Sequence, residues 1–304
     1  MKLRTLLTTT LLITLLFGVS ACQGPSPLSF LSPSETPLPP TATATASPTA
    51  TQTATPTITP TLAPTATPTP AKVTIPAGSV TAPILLYHHV STDGNTQESR
   101  YNIPPEKFEE QIKWLFENGY QTINVSDLAN LIYNGGEIPQ RPVIITFDDG
   151  NEDVYSQAYP ILKKYGFVAT FYVVQTYVNG RDMVTTDQLK ELIKNGWEIG
   201  SHSKTHVSLP TISEDLLPDE IRMSKLNLED KLGVSINSFA YPFGEINENV
   251  VRLTSRYGYK SAVGLGAAVT HGLNSVFYLD RIEIQNDYPM DQFISLMPWS
   301  GPLQ

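Results

Sequence analysis

The feature that most limits the fold is an alternation of short apolar runs with longer amphipathic ones, sustained from Ile84 to Met297. Runs of strand length and composition stand at 84–87, 121–125, 143–147, 167–174, 197–201, 238–241, 259–263 and 281–284. Helical spacing of apolar residues fills the intervals at 105–118, 127–133, 152–165, 186–195, 213–232, 247–257 and 290–297, with Ser126 as the expected N-cap of the second. VIITF at 143–147 is apolar at every position but one, as in a strand buried on both faces. About seven strands separated by helices predict parallel pairing through right-handed crossovers. The expectation is an α/β chain forming a closed or distorted (β/α) barrel, with an open doubly wound sheet as the alternative. In a barrel the chemistry gathers at the C-terminal ends of the strands.

The alternation is absent from the first quarter of the chain. Lys2 and Arg4 precede a short apolar core and small residues, the layout of a secretory signal, expected over 1–21. Val19-Ser20-Ala21-Cys22 resembles a bacterial lipobox, and Cys22 is the chain's only cysteine, so lipidation at Cys22 and anchoring to the membrane are expected. Residues 22–75 are dominated by Thr, Pro, Ala and Ser, which cannot bury a core and favour an extended linker. Residues 76–304 are then expected to form one globular domain, which the signal and anchor would place outside the cytoplasm. The net charge of −9 gives no sign of a nucleic-acid partner.

Polar clusters sit where the barrel rule places chemistry. Thr146-Phe147-Asp148-Asp149-Gly150 follows the most apolar strand, and its adjacent carboxylates repel unless a positive group stands beside them. Ser201-His202-Ser203-Lys204-Thr205-His206 follows another strand, with its histidines four apart, a frequent metal half-site. Phe239-Ala240-Tyr241-Pro242-Phe243-Gly244-Glu245 follows a third and suggests a rigid loop that presents backbone amides, with Pro242 and Phe243 expected to bind substrate. The strand Ile84–Tyr87 ends in His88 and His89, two of only five histidines.

TFDDG, HSKTH and AYPFG, in this order, resemble the signature motifs of the polysaccharide deacetylases, the NodB-like carbohydrate esterases. The resemblance implies a distorted (β/α)7 barrel that removes acetyl groups from a glycan with a divalent metal. It implies Asp149, His202 and His206 as metal ligands, Asp148 as the base acting on a metal-bound water, and the backbone amide of Tyr241 as oxyanion donor. Zinc suits such a site, and cobalt, nickel or iron can use it. The general acid usually comes from a C-terminal Leu-x-His, which this chain lacks; Leu86-Tyr87-His88 resembles instead a rearranged subgroup that includes poly-N-acetylglucosamine deacetylases. There His88 would be the acid and Leu86 would line the acetyl pocket. Ala240 stands where the family often has an arginine, and Arg281 is the candidate substitute, with Asp280 beside it. His89 is expected on the opposite side of the strand from His88, and His271 at the surface. The expected substrate is an N-acetylated surface glycan, poly-N-acetylglucosamine or peptidoglycan. An O-acetyl esterase acting on a polysaccharide such as xylan, or a non-catalytic glycan-binding protein, are the alternatives.

Overall fold

The structure, a computed structural model, describes residues 72–92 and 99–301. The expected signal segment, Cys22 and nearly all of the Thr/Pro-rich linker lie outside the described residues. Among the described residues no helix is long and apolar enough to cross a membrane.

The core is a parallel sheet of β1 (Ile84–Tyr87), β2 (Gln121–Thr122), β3 (Pro142–Phe147), β4 (Thr170–Val173), β5 (Glu198–Ser201), β6 (Ser238–Ala240), β7 (Ser261–Val263) and β8 (Ile282–Glu283). Their order is β7-β6-β5-β4-β3-β1-β8, with β2 beside the start of β3. The ring closes where the approach to β8 meets β7: Val263 bridges Leu279 in parallel, and Leu279 N–H donates to Ala262 O at 2.9 Å. Because β2 pairs with Pro142 and Val143, β3 and β4 join only at Thr146 and Phe147. The result is a seven-strand ring with a wedge, the distorted (β/α)7 barrel expected.

Alternation along the strands sorts side chains into separate cores. Leu85, Tyr87, Ile145, Phe147, Phe171, Ile199 and Phe239 face the surrounding helices. Ile84, Ile144, Tyr172, Ala240, Val263 and Leu279 fill the barrel. Continuing the inward alternation toward the C-terminal ends brings Leu86, Thr146, Asp148, His202, Arg281 and Glu283 to the mouth. The helices are α1 (Pro105–Glu117), α2 (Val125–Asn134), α3 (Tyr159–Lys164), α4 (Thr186–Lys194), α5 (Ser224–Leu232), α6 (Glu248–Arg256) and α7 (Met290–Ser295). Helix α2 closes the foot of the barrel, where Val125, Leu128 and Ile132 join the inner core.

The structure departs from the sequence expectations at several points. The linker ends earlier than 75, because Lys72–Ile75 pairs antiparallel with Gly136–Pro139. Asn124 rather than Ser126 caps α2, since Asp127 reaches back to the Asn124 N–H at 2.9 Å. Ser126 instead turns to Glu198. The run at 213–232 becomes helical only from Pro218, and Val154–Ala158 and Pro218–Met223 take the wider π form. His271 is 1% exposed, because Thr270–His271 pairs with Val80–Thr81 and carries it beneath that ladder.

Candidate active site

A cleft of about 640 Å³ opens at the mouth, walled in part by Leu86, Asp148, Asp149, His202, His206 and Arg281. Its floor is Asp148, 2% exposed, whose N–H extends the ladder to Tyr87 O at 3.2 Å. Arg281 grips this carboxylate with both forks, Nη1 to Oδ1 and Nη2 to Oδ2, each at 2.7 Å. The guanidinium is itself fixed: Nε donates to Gly264 O at 3.1 Å, and the group lies 5.5 Å from the centre of the Tyr172 ring. Burial alone would raise the Asp148 pKa, but the charge and hydrogen bonds of Arg281, with His202 and His88 nearby, hold it well below the usual carboxylate range. Asp280 takes no part, since its carboxylate accepts from Ala268 N–H at 3.0 Å.

Asp149 follows directly yet serves a different side of the cleft, because its φ of 73° throws the chain into the left-handed region. Gly150 continues the turn at φ 94°, where an added Cβ would come within 3.4 Å of Val173. Ser203, His206 and Phe243 also have positive φ, so four of the six such non-glycine residues among those described stand at this site. Strain of this kind persists where the surroundings over-determine the backbone.

His202 sits two residues beyond Gly200 on the inner face of β5. Its Nδ1–H donates to Ala240 O at 2.9 Å, which leaves the Nε2 lone pair 3.6 Å from Asp149 Oδ1. Burial pulls its pKa down to about 4, so the ring is neutral at pH 7. His206 Nε2 lies 3.4 Å from the same oxygen, and its N–H donates to Ser203 Oγ at 3.0 Å. The turn carrying both histidines is clamped by Glu220, 7% exposed, which accepts from Lys204 N–H, Thr205 N–H and Thr205 Oγ–H at 3.0, 2.9 and 2.6 Å. Sequence reasoning missed Glu220; an acid in the first turn of a helix reads as an ordinary N-terminal charge.

One donor atom each from Asp149, His202 and His206 lies within 4.8 Å of the others. Two imidazoles and a carboxylate, with one imidazole oriented by a carbonyl through its other nitrogen, are the donor set of a catalytic zinc-type centre. The residues fit a divalent ion.

The remaining expected residues divide. Leu86, 1% exposed, lines the cleft. His88 lines it too, its ring 4.6 Å from that of Tyr101, with Nδ1 buried and without a hydrogen-bond partner among the described residues. His89 does not face away: β1 ends at Tyr87, the alternation lapses, and His89 starts a short ladder with Asn102 on the same cleft wall. Its Nδ1–H is held by Asp153 at 2.7 Å. Tyr241 corrects the expectation of an oxyanion donor. Its amide donates to Val263 O at 3.2 Å within the β6–β7 pairing, and its hydroxyl donates to Phe277 O at 3.0 Å, so neither is available to a substrate. Pro242 is buried under the turn and is not a wall residue, whereas Phe243 is 56% exposed and lies 4.7 Å from the His206 ring.

Comparison with known proteins adds to this geometry. A family profile described as polysaccharide deacetylase matches residues 135–262, a span that holds Asp148, Asp149, His202 and His206. YxkH of Bacillus subtilis (strain 168), which is named for the same family, is 30% identical over 202 residues, 66% of this chain and 71% of that protein. The chain belongs to the polysaccharide deacetylase family. A second polysaccharide deacetylase, the poly-β-1,6-N-acetyl-D-glucosamine N-deacetylase of Staphylococcus aureus (strain MSSA476), is 34% identical over 203 residues, 62% of this chain and 69% of that one. The solved structure of the Streptococcus pyogenes deacetylase PplD in complex with acetate superposes with a TM-score of 0.66 at 26% identity, covering 73% of this chain and 99% of that chain. Polysaccharide deacetylases of this family are metal-dependent hydrolases, and Asp149, His202 and His206 supply the triad here.

Proposed function

We propose that this polysaccharide deacetylase hydrolyses the acetamide of N-acetylglucosamine units in a surface glycan, poly-β-1,6-N-acetylglucosamine or the glycan of peptidoglycan. The observation that carries the reading is the Asp148 carboxylate held ionised by a bidentate Arg281 beside the Asp149–His202–His206 triad. Similarity to the S. aureus N-deacetylase supports the choice of glycan.

Asp149, His202 and His206 would hold the divalent ion, with zinc best suited to the donor set. When bound, the ion supplies Lewis-acid activation of water and of the acetyl carbonyl. Asp148 takes the proton of the attacking water, and Arg281 keeps that carboxylate ionised and aimed. The new C–O bond forms at the acetyl carbon, the C–N bond breaks, and His88 delivers the proton that the departing nitrogen needs to leave as an amine. Leu86 packs beside the acetyl methyl, and Phe243 offers an exposed ring at the rim. Lipidation at Cys22 would tether the domain to the outer face of the cell membrane, next to such glycans.

The test is acetate release across a panel of N-acetylglucosamine oligomers, peptidoglycan fragments and acetylated xylan, with Asp149→Ala as control. Release from the β-1,6-linked oligomers is the expected result. Preference for xylan would make the chain an O-acetyl esterase, and bound metal without acetate from any glycan would make it a binding protein. His88→Ala should cripple deacetylation while metal content is unchanged, and His89→Ala should cost much less.

A further inference from the structure

Several cleft residues have no part in the mechanism above, and three of them, Arg100, Tyr101 and Glu283, gather on the wall around His88. Strands β1 and β8 place Glu283 opposite Leu86, and alternation sets Glu283 on the same inward side as Arg281, one layer nearer the mouth. Residues Ser99–Tyr101 form a single 3-10 turn, and the ladder of His89 with Asn102 brings the turn alongside the end of β1. In this way the Tyr101 ring comes to lie 4.6 Å from the His88 ring at 34°.

The turn is fastened to β8 at several points. Burial and the facing Glu283 carboxylate raise the pKa of the Tyr101 hydroxyl, and Arg100 Nη2 donates to the same hydroxyl. Because a guanidinium only donates, the phenol oxygen accepts from Arg100 and keeps its own proton free to turn toward Glu283. Gln285 Nε2 donates to Glu283 Oε2 at 3.1 Å, and Asn286 N–H donates to Arg100 O at 2.8 Å. Tyr101 is therefore held from the Arg100 side, whereas His88 Nδ1 has no hydrogen-bond partner among the described residues to fix the imidazole.

We propose that Tyr101, clasped by Glu283, is the positioning residue for His88: its ring is the platform that sets the plane from which the imidazole delivers its proton. This rests on His88 acting as the general acid. Glu283 acts at one remove, by holding the platform.

The experiment measures acetate release from N-acetylglucosamine pentamer by the full domain carrying its metal, for Tyr101→Leu, Tyr101→Phe, Glu283→Ala and His88→Ala, and for Tyr101→Leu combined with His88→Ala. A displaced catalytic group costs about tenfold to a hundredfold in rate, so Tyr101→Leu should lower kcat by about that factor with KM nearly unchanged. Tyr101→Phe keeps the ring and should recover most of the loss, with Glu283→Ala falling between. In the His88→Ala background Tyr101→Leu should cost nothing further, because residues acting through one another are not additive. An equal loss in both backgrounds, or a rise in KM alone, would overturn the assignment and make Tyr101 a fold or substrate contact. If His88→Ala by itself left turnover intact, it is the reading of His88 as acid that fails, and the platform falls with it.

Discussion

The barrel carries an inward carboxylate near each end, and their partners are opposite in kind. At the mouth Asp148 faces a guanidinium that donates to both oxygens at 2.7 Å. At the foot the hydrogen-bond partners of Glu198 among the described residues are all neutral: Ser126 N–H at 2.9 Å, Ser126 Oγ–H and Ser238 Oγ–H at 2.6 Å, and Thr170 Oγ–H at 3.1 Å. Burial raises the Glu198 pKa and those hydrogen bonds offset only part of the rise, whereas at Asp148 the cation overcomes burial altogether. Between them lies Tyr172, fully buried, and Gly200 opposite it, where a Cβ would fall 2.3 Å from the ring. A carboxylate beside a fixed cation is a charged base ready for chemistry. One ringed by hydroxyls is a strut that ties α2 to β4, β5 and β6.

The contrast can be broken first at the mouth. Asp149→Ala, or removal of metal by a chelator, should abolish deacetylation, and metal analysis should find the variant empty. Asp148→Asn should lower kcat by about a thousandfold with metal retained, within the range of lost general-base catalysis. Arg281→Ala should lower kcat less, and its denaturation midpoint should report a destabilisation of about 3 kcal/mol, because it strands a buried charge. Unchanged turnover in Arg281→Ala would remove its orienting role.

At the foot the order reverses, with stability affected and chemistry spared. Glu198→Ala leaves the Ser126, Thr170 and Ser238 hydroxyls without their acceptor and should cost about 2 kcal/mol by urea unfolding while kcat holds. The smallest effect concerns pH. The folded pKa of Glu198 is raised, so its contribution is fully present below the unfolded value and is lost as pH rises through the folded one. The thermal midpoint of the wild type should therefore fall relative to Glu198→Gln as pH rises above the ordinary carboxylate range. For Asp148 the sign is opposite, with stability lost as pH falls.

What could be read in the sequence was local in origin. All eight barrel strands stood out because apolar runs on a buried sheet need no knowledge of their neighbours. The residues at the ends of β3 and β5 stood out because strand ends are where a barrel exposes polar groups. The misses turned on distant partners. Whether the Tyr241 amide is spent depends on its register against Val263, the burial of His271 on a ladder with Val80, and the order of the His202–His206 turn on Glu220. Ser126 was mistaken for a cap because Glu198, its true partner, lies 72 residues away.

The guanidinium that grips Asp148 comes from the approach to β8, while the motif resemblance would have put an arginine at Ala240 on β6. Around a closed ring, a vacancy on one stave can be filled from another, and the carboxylate is served either way. A survey that judged activity column by column along an alignment would read Ala240 as a missing part and discard the chain as inert. Asking which cation reaches the first aspartate, from any strand, would keep it, and the same question would rescue other chains in which a part has moved around the ring.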